Sequence, residues 1–222
     1  MSIGFKQRRS GRGEATRIAI IEAAEILFAE HGVNGASLRQ IGTASGSANT
    51  NAVGYHFGNK EALVAAVISH RLPDIEAVRT RMLRGWEESG EPASLRDLLF
   101  IMFHPVVQQR NSDGQRSYAA FIGGIFRSGS AWQRYSLGDE YPTTRRIIRM
   151  IRDCLAIDPQ LFKARMKICT NMIVSSLDLL EKEGIVSEES EGQQFLDAIV
   201  MAEAALRAPN IPETGFAHMA DW

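Results

Sequence analysis

A succession of three helical patterns in residues 16–60 constrains the fold of this chain most. The first pattern is long and ends at Gly32, a residue type that favours helix C-termini. Ser37, followed three residues later by glutamine, forms a capping-box signature and predicts a short second helix, which the Ser-Gly-Ser sequence at 45–47 interrupts. A third helix is predicted over 50–56. A long helix followed by two short helices with a tight turn between them is the helix-turn-helix layout.

Helical periodicity continues through the rest of the chain, and no strand alternation of useful length occurs. Pro73 and Pro105 are expected to kink, interrupt or end the helices that contain them, because proline lacks the N–H of a helical hydrogen bond. The predicted fold class is all-α. The later helices are expected at about 62–88, 95–109, 118–126, 145–155, 159–182 and 190–206. The expected organisation is a flexible basic arm at 1–15, a three-helix helix-turn-helix domain at 16–62, a larger helical domain at 63–207 and a tail at 208–222.

The charges are divided unevenly along the chain. The 222 residues have a formal charge of −1, but residues 1–60 carry seven basic and four acidic side chains, so the remainder is net acidic. No carboxylate occurs from His31 to Lys60. A surface that approaches phosphates excludes carboxylates in this way, because like charges repel. Chance depletion in a stretch rich in glycine, serine and asparagine is the alternative on charge alone.

The third predicted helix combines an apolar face with an uncharged polar face. Val53 and Phe57 are four residues apart and are expected to pack on the first two helices. Asn51 and Tyr55 share another face, where short hydrogen-bonding groups and one aromatic ring suit the major groove of DNA. A polar surface helix of a helical bundle is the alternative interpretation of this pattern.

Several other classes of protein are disfavoured. Cys154 and Cys169 form no CxxC pair and are expected to be reduced, buried thiols. No apolar run reaches the ~18 residues of a membrane span, and no apolar segment follows the basic N-terminus as in a signal peptide. A cytoplasmic protein is therefore expected. No cofactor or metal is predicted, because the five histidines lack ligand spacing and no nucleotide-binding or hydrolase motif occurs.

Four sequence motifs follow one another between residues 17 and 63. They are Ala-Ala-Glu-x-Leu-Phe-Ala-Glu-His-Gly at 23–32, Ser-Leu-Arg-Gln-Ile at 37–41, Gly46, and Tyr-His-Phe-Gly-Asn-Lys-Glu-Ala-Leu at 55–63. This part of the chain resembles the DNA-binding domain of TetR-type transcriptional regulators. The resemblance implies a sequence-specific DNA-binding transcriptional regulator, whose larger helical domain would serve ligand binding and dimerisation.

The resemblance also implies roles for individual side chains. Tyr55 and His56 would contact the DNA backbone, and Lys60 with the amide end of the fourth helix would bind a phosphate. Ser37 and Arg39 would contact the opposite backbone, and the basic arm would enter the minor groove. The candidate DNA-binding residues are Arg17, Ser37, Arg39, Asn49, Thr50, Asn51, Ala52, Tyr55, His56 and Lys60, of which positions 50–52 would face bases.

Two departures from the usual family pattern bear on these roles. One extra residue separates Gly46 from Tyr55, as in family members with a longer turn, so the base-facing register can differ by one position. Gly42 stands where alanine is usual and Gly54 where an aromatic residue is usual. A glycine within a helix costs about 0.5–1 kcal/mol relative to alanine. Gly54 either allows close approach to DNA or is simply tolerated.

The last two predicted helices carry apolar residues over a wide arc, as helices do when they bury two faces. In the family, these helices commonly form a four-helix interface between two copies, so a homodimer is expected. A large monomeric core is the alternative. The candidate interface residues are Cys169, Ile173, Leu177, Leu180, Leu196, Ile199 and Val200.

A ligand pocket is expected between the helices of the middle region. The scarcity of charges in residues 98–107 favours an apolar or weakly polar effector. Each candidate could instead be an ordinary core residue. The candidates are Phe100, Phe103, His104, Phe121, Phe126, Trp132 and Met172.

The expected function is therefore a homodimeric repressor that a small effector releases from a palindromic operator. Dimerisation suits this function, because two recognition helices about 34 Å apart can read successive major grooves. Two alternatives stay open. One is an all-helical enzyme, for which no motif is found, and the other is a DNA-binding protein without an effector, which a sealed C-terminal core would favour.

Overall fold

A computed structural model describes residues 3–47, 51–111, 113–128, 140–183 and 187–210 of the chain, without the side chains at 3–12, 127–128, 177–183 and 188. Every regular element in these ranges is a helix, which confirms the all-α prediction. Within them, no helix is both long and apolar enough to cross a membrane. The helices are α1 (Ile3–Gly35), α2 (Leu38–Ala44), α3 (Ala52–Phe57), α4 (Lys60–Glu88), α5 (Leu95–Val107), α6 (Ser117–Ser128), α7 (Pro142–Asp153), α8 (Pro159–Glu183) and α9 (Glu188–Arg207).

The first helix is longer at its N-terminus than the sequence predicts. It begins at Ile3, so most of the stretch expected to be a flexible arm belongs to the helix instead. Arginine, lysine and glutamine are good helix formers, and extending a helix already held by a buried face costs little. At the other end the regular helix stops at Gly32 as predicted, where φ is 71°.

The predicted helix starts are largely confirmed, but the two prolines do not end their helices. The Ser37 cap forms as expected. Asp158 caps the start of α8, with its Oδ1 accepting hydrogen bonds from the backbone N–H groups of Gln160 and Leu161. α4 and α5 run through Pro73 and Pro105 without interruption. Leu72 and Ile75 on either side of Pro73 are buried, while the proline itself is exposed. Tertiary packing there offsets the cost of the missing helical bond.

The buried side chains form two clusters that share α4. The N-terminal core joins α1–α4 to α6, with Val106 of α5 and Val174 of α8 at its edge, and includes Ile20 and Phe28. The C-terminal core joins α5, α7, α8 and α9 to the end of α4 and includes Leu83 and Ile199. The boundary expected at residues 62–63 therefore falls inside one continuous helix, and α4 belongs to both cores.

A buried carboxylate ties α1 to the helices of the larger region. Glu25, 1% exposed, accepts hydrogen bonds from Arg71 Nε at 2.8 Å, Arg71 Nη2 at 3.1 Å and Ser117 Oγ at 2.5 Å. One turn further along α1, the ring of Phe28 stacks on Phe121 of α6, with their centroids 5.9 Å apart. α1 thus contacts α4 through an ion pair, and α6 through a hydrogen bond and an aromatic stack.

Candidate nucleic-acid interface and internal cavity

The second helix of the helix-turn-helix unit begins at a reciprocal cap. Ser37 Oγ accepts from the backbone N–H of Gln40 at 3.2 Å, and Gln40 Oε1 accepts from the backbone N–H of Ser37 at 2.8 Å. This cap occupies the Ser37 side chain, whereas Arg39 projects from the first turn as an exposed cation. Gly46 then reverses the chain with φ at 68°. The predicted residues Asn49 and Thr50 lie outside the described residues.

The third helix is shorter than predicted and starts two residues later. Asn51 occupies its N-cap without a side-chain capping bond, and Val53 packs in the N-terminal core with 1% of its surface exposed. Ala52 is 5% exposed, so its side chain faces the core and not a base, contrary to expectation. Val53 and Phe57 are one turn apart and both pack in the N-terminal core, and Ala52, next to Val53, belongs to the same core.

The outer face of α3 is polar, uncharged and open. Tyr55 is 85% exposed, and its ring meets the half-buried ring of His56 edge-on at 5.2 Å. Asn51 and Gly54 are also exposed on this helix. A Cβ added to Gly54 would meet nothing within 4 Å, so packing within the chain does not require a glycine there.

Two basic residues near this face, Lys60 and Arg17, are fixed in position by contacts within the chain. Lys60 Nζ donates to the carbonyl oxygen of Val33 at 2.9 Å, which ties the start of α4 to the end of α1. The guanidinium of Arg17 lies 5.4 Å from the centroid of the Phe57 ring and forms an ion pair with Glu14 at 3.6 Å. Ahead of Lys60, Asn59 Oδ1 caps α4 by accepting from the backbone N–H of Ala62 at 2.8 Å.

A cavity of about 400 Å³ lies between α4, α5, α6, α7 and α8. Of the predicted ligand residues, Phe103 and Phe126 line it. Its wall is mainly apolar, with polar groups contributed by arginine, tyrosine, threonine and lysine side chains. The lining residues are Ile68, Leu72, Ile75, Arg79, Met102, Phe103, Val106, Tyr118, Ile122, Phe126, Thr144, Ile148, Phe162, Lys163, Met166, Lys167 and Thr170.

The other predicted ligand residues do not line this cavity. Phe100 and His104 lie on another face of α5, where their rings stack at 4.8 Å and both contact Phe195 of α9. Burial lowers the pKa of His104, and its Nδ1 has no hydrogen-bond partner among the described residues. Phe121 belongs to the junction with α1, and Met172 packs against the C-terminal core. Trp132 lies outside the described residues.

The cavity contains a buried arginine that sequence reasoning missed. Arg79 is 4% exposed and donates from Nε and Nη2 to the carbonyl oxygen of Met102 and from Nη1 to Thr144 Oγ1. Thr144 Oγ1 in turn donates to Glu76 Oε2. Burial lowers the pKa of Arg79 to about 10, so the side chain stays charged at neutral pH. The spacing of Ile68, Leu72, Ile75 and Arg79 already places this cation on the apolar face of α4.

The predicted dimer residues divide between the core and the surface. Cys169, Ile173 and Ile199 are at most 1% exposed, because α8 and α9 pack on each other within the chain, so these three cannot contact a partner in this arrangement. Leu196 and Val200 are 47% and 42% exposed. The side chains of Leu177 and Leu180 lie outside the described set. Ile168 and Met201, which were not predicted, add exposed apolar surface on the same two helices. Cys154 is exposed, contrary to expectation.

Comparison with known proteins agrees with this geometry. The sequence model of the family described as "Bacterial regulatory proteins, tetR family" matches residues 20–67. None of the curated proteins compared with the chain matches it. A tetR family transcription regulator from Shewanella sp. PV-4 has a TM-score of 0.59 and 16% identity over 87% of this chain and 99% of its own.

Two further solved structures are more distant. A TetR-family transcriptional regulator from Rhodococcus sp. has a TM-score of 0.48 and 20% identity over 85% of this chain and 98% of its own. SmeT, the repressor of the Stenotrophomonas maltophilia multidrug efflux pump SmeDEF, has a TM-score of 0.45 and 23% identity over 90% and 95%. These TM-scores are too low to support an inference. The match and the Shewanella structure together support one conclusion: residues 20–67 are similar in sequence to the tetR family of bacterial regulatory proteins, and the chain has the fold of the Shewanella regulator.

Proposed function

We propose that this protein is a homodimeric transcriptional repressor that binds a palindromic operator and is released by a small effector. Residues 16–62 serve as the DNA-binding domain and 63–207 as the effector-binding and dimerisation domain. The observation that carries the proposal is the outer face of α2 and α3. It presents exposed Arg39, Asn51 and Tyr55 in a stretch without any carboxylate from His31 to Lys60. A recognition helix in the major groove needs that combination.

The direct test is binding to DNA from the region upstream of its own gene. Fluorescence anisotropy with labelled fragments is expected to show a saturable, salt-sensitive complex confined to fragments that contain an inverted repeat. Scrambling one half-site should weaken this complex, while unrelated DNA should bind only at low salt. If no fragment gives a saturable complex at moderate salt, the proposed function is wrong.

The internal cavity supports an effector. A DNA-binding protein without an effector needs no such space, and a protein core is normally packed without voids larger than a water molecule. The cavity of about 400 Å³ falls in the range typical of small-molecule sites. α4 lines the cavity with Arg79 and begins beside the DNA-binding face with Lys60, so one continuous helix joins the two sites. Movement of this helix is the proposed link between effector binding and DNA release.

Replacing Lys60 with alanine is expected to weaken binding to all DNA sequences alike and to lower the salt slope by about one per protomer. Loss of the bond to the Val33 carbonyl should also lower the free energy of unfolding by about 1 kcal/mol. Anisotropy titrations at several salt concentrations and denaturant melts measure the two effects. Arg84→Ala is the control, because it removes an exposed cation at the far end of α4. A change in sequence preference for Lys60→Ala would refute the phosphate role.

Introducing glutamate at both Leu196 and Val200 is expected to convert the dimer to a monomer. Both side chains are exposed on α9, so the chain itself tolerates a charge there, whereas an apolar interface would place like charges of the two copies together. Light scattering after size exclusion gives the mass, and circular dichroism checks that the helices are retained. Gln108→Glu, an exposed change at the end of α5, should leave the mass unchanged. A dimer that survives the double change would place the interface elsewhere.

A further inference from the structure

The cavity has an apolar end and a cationic end. On α4, Ile68, Leu72 and Ile75 belong to the N-terminal core, and Arg79 follows one turn later, before Leu83 of the C-terminal core. Since α4 rises about 1.5 Å per residue, the wall from Ile68 to Arg79 is about 16 Å long. A ligand that fills this space meets aliphatic side chains over most of its length and a guanidinium at one end.

The lysines of α8 lie toward the same end as Arg79. Phe162, next to Lys163, belongs to the C-terminal core together with Cys169 and Ile173, and only Val174, further along the helix, belongs to the N-terminal core among its described residues. α8 therefore runs between the same two cores as α4, with its first turns at the arginine end. Lys163 and Lys167 are one turn apart and both line the cavity, the first exposed and the second half-buried.

The positive charge at the arginine end of the cavity is not balanced by acidic side chains among the described lining residues. None of the described residues that line the cavity is a carboxylate. Arg79 forms no ion pair among the described residues, and Glu76 reaches it only through the Thr144 hydroxyl. The bonds of Arg79 to Met102 and Thr144 use three of its five N–H groups. A buried guanidinium with spare donors is best satisfied by an anion, which can accept two parallel hydrogen bonds.

Building on the proposed effector-released repressor, we propose that the effector is an amphipathic organic anion. Its apolar body lies along Ile68, Leu72 and Ile75, pointing toward the DNA-binding domain. Its carboxylate lies at the end formed by Arg79, Lys163 and Lys167. The two lysines attract the anion from solvent and neutralise it at the mouth, while Arg79 fixes its position within the cavity. This proposal departs from the apolar or weakly polar effector expected from the sequence, because that expectation considered only the residues of α5.

Three ten-carbon probes that differ only in head group test the proposal on the full-length protein. They are decanoate, decanol and decylammonium, each used below its solubility limit and the two ionic probes far below their critical micelle concentrations, with binding measured by calorimetry and thermal shift. Decanoate is expected to bind and to raise the melting temperature, and the other two to bind at least about tenfold more weakly. Equal binding of decanol, tighter binding of decylammonium, or no decanoate binding below millimolar concentration would overturn the proposal.

Paired variants locate the carboxylate. Lys163→Gln with Lys167→Gln is expected to weaken decanoate binding about tenfold and to leave decanol unaffected, because two partly exposed charges are lost. The control is Arg81→Gln with Arg149→Gln, which removes two exposed cations that do not line the cavity, and it should bind decanoate like the wild type. If both double variants lose decanoate affinity equally, net charge alone explains the effect and the proposed site is wrong. Operator release is scored separately, so decanoate binding without release would contradict the proposed function and not the ligand class.

Discussion

Replacing Glu25 with alanine is expected to lower the free energy of unfolding by about 3–5 kcal/mol. The change leaves Arg71, whose side chain is only 14% exposed, without its carboxylate and removes the acceptor of the Ser117 hydroxyl. Removing one partner of a buried pair costs more than the pair contributes, because the remaining charge stays buried and unpaired. Urea melts followed by circular dichroism measure the loss.

The controls separate this effect from a general loss of charge on α1. Glu22→Ala removes an exposed carboxylate from the same helix and should change stability by less than about 0.5 kcal/mol. Adding Arg71→Ala to Glu25→Ala should cost less than the sum of the two single changes, because the pair is lost together. A loss below about 1 kcal/mol for Glu25→Ala, or strict additivity, would show that the junction is not held by this ion pair.

The sequence predicts the helix-turn-helix unit well because its signals are local. The Ser37 capping box, the stop at Gly32 and the pairing of Val53 with Phe57 each depend on residues within four positions, and each is confirmed. Prolines are less predictive, since the burial of Leu72 and Ile75 around Pro73 comes from distant helices. Tertiary packing overrides the local preference at such positions.

Residues of the cavity and of the apolar surface could be predicted only in part. Periodicity identifies which side chains of α8 and α9 avoid water, but it cannot tell burial within the chain from burial against a second copy. For this reason all three of Cys169, Ile199 and Val200 were assigned to a dimer interface. The first two are buried within the chain, and only Val200 is exposed. Arg79 was missed because a charged residue is assumed to be exposed. Its helical spacing from Ile75 was the available signal.

Tyr55→Ala is expected to weaken binding to the operator at least a hundredfold. In a dimer the contact is lost twice, and about 1.4 kcal/mol per protomer suffices for that factor. The tyrosine is 85% exposed and touches the ring of His56 only at its edge, so the melting temperature and the dimer mass should stay as in the wild type. Anisotropy with the operator fragment and with unrelated DNA gives both affinities.

The comparison with Tyr55→Phe decides how the residue acts. If the hydroxyl donates to a phosphate, phenylalanine should lose most of the affinity that alanine loses, and binding to unrelated DNA should fall as well. If the ring contacts a thymine methyl or a sugar, phenylalanine should bind the operator nearly as well as tyrosine. Asn51 shares the exposed face with Tyr55, and Asn51→Ala should then change base preference at one position of each half-site. Full operator affinity of Tyr55→Ala would mean that the outer face of α3 does not contact DNA, because no other described side chain of this helix is as exposed and as large.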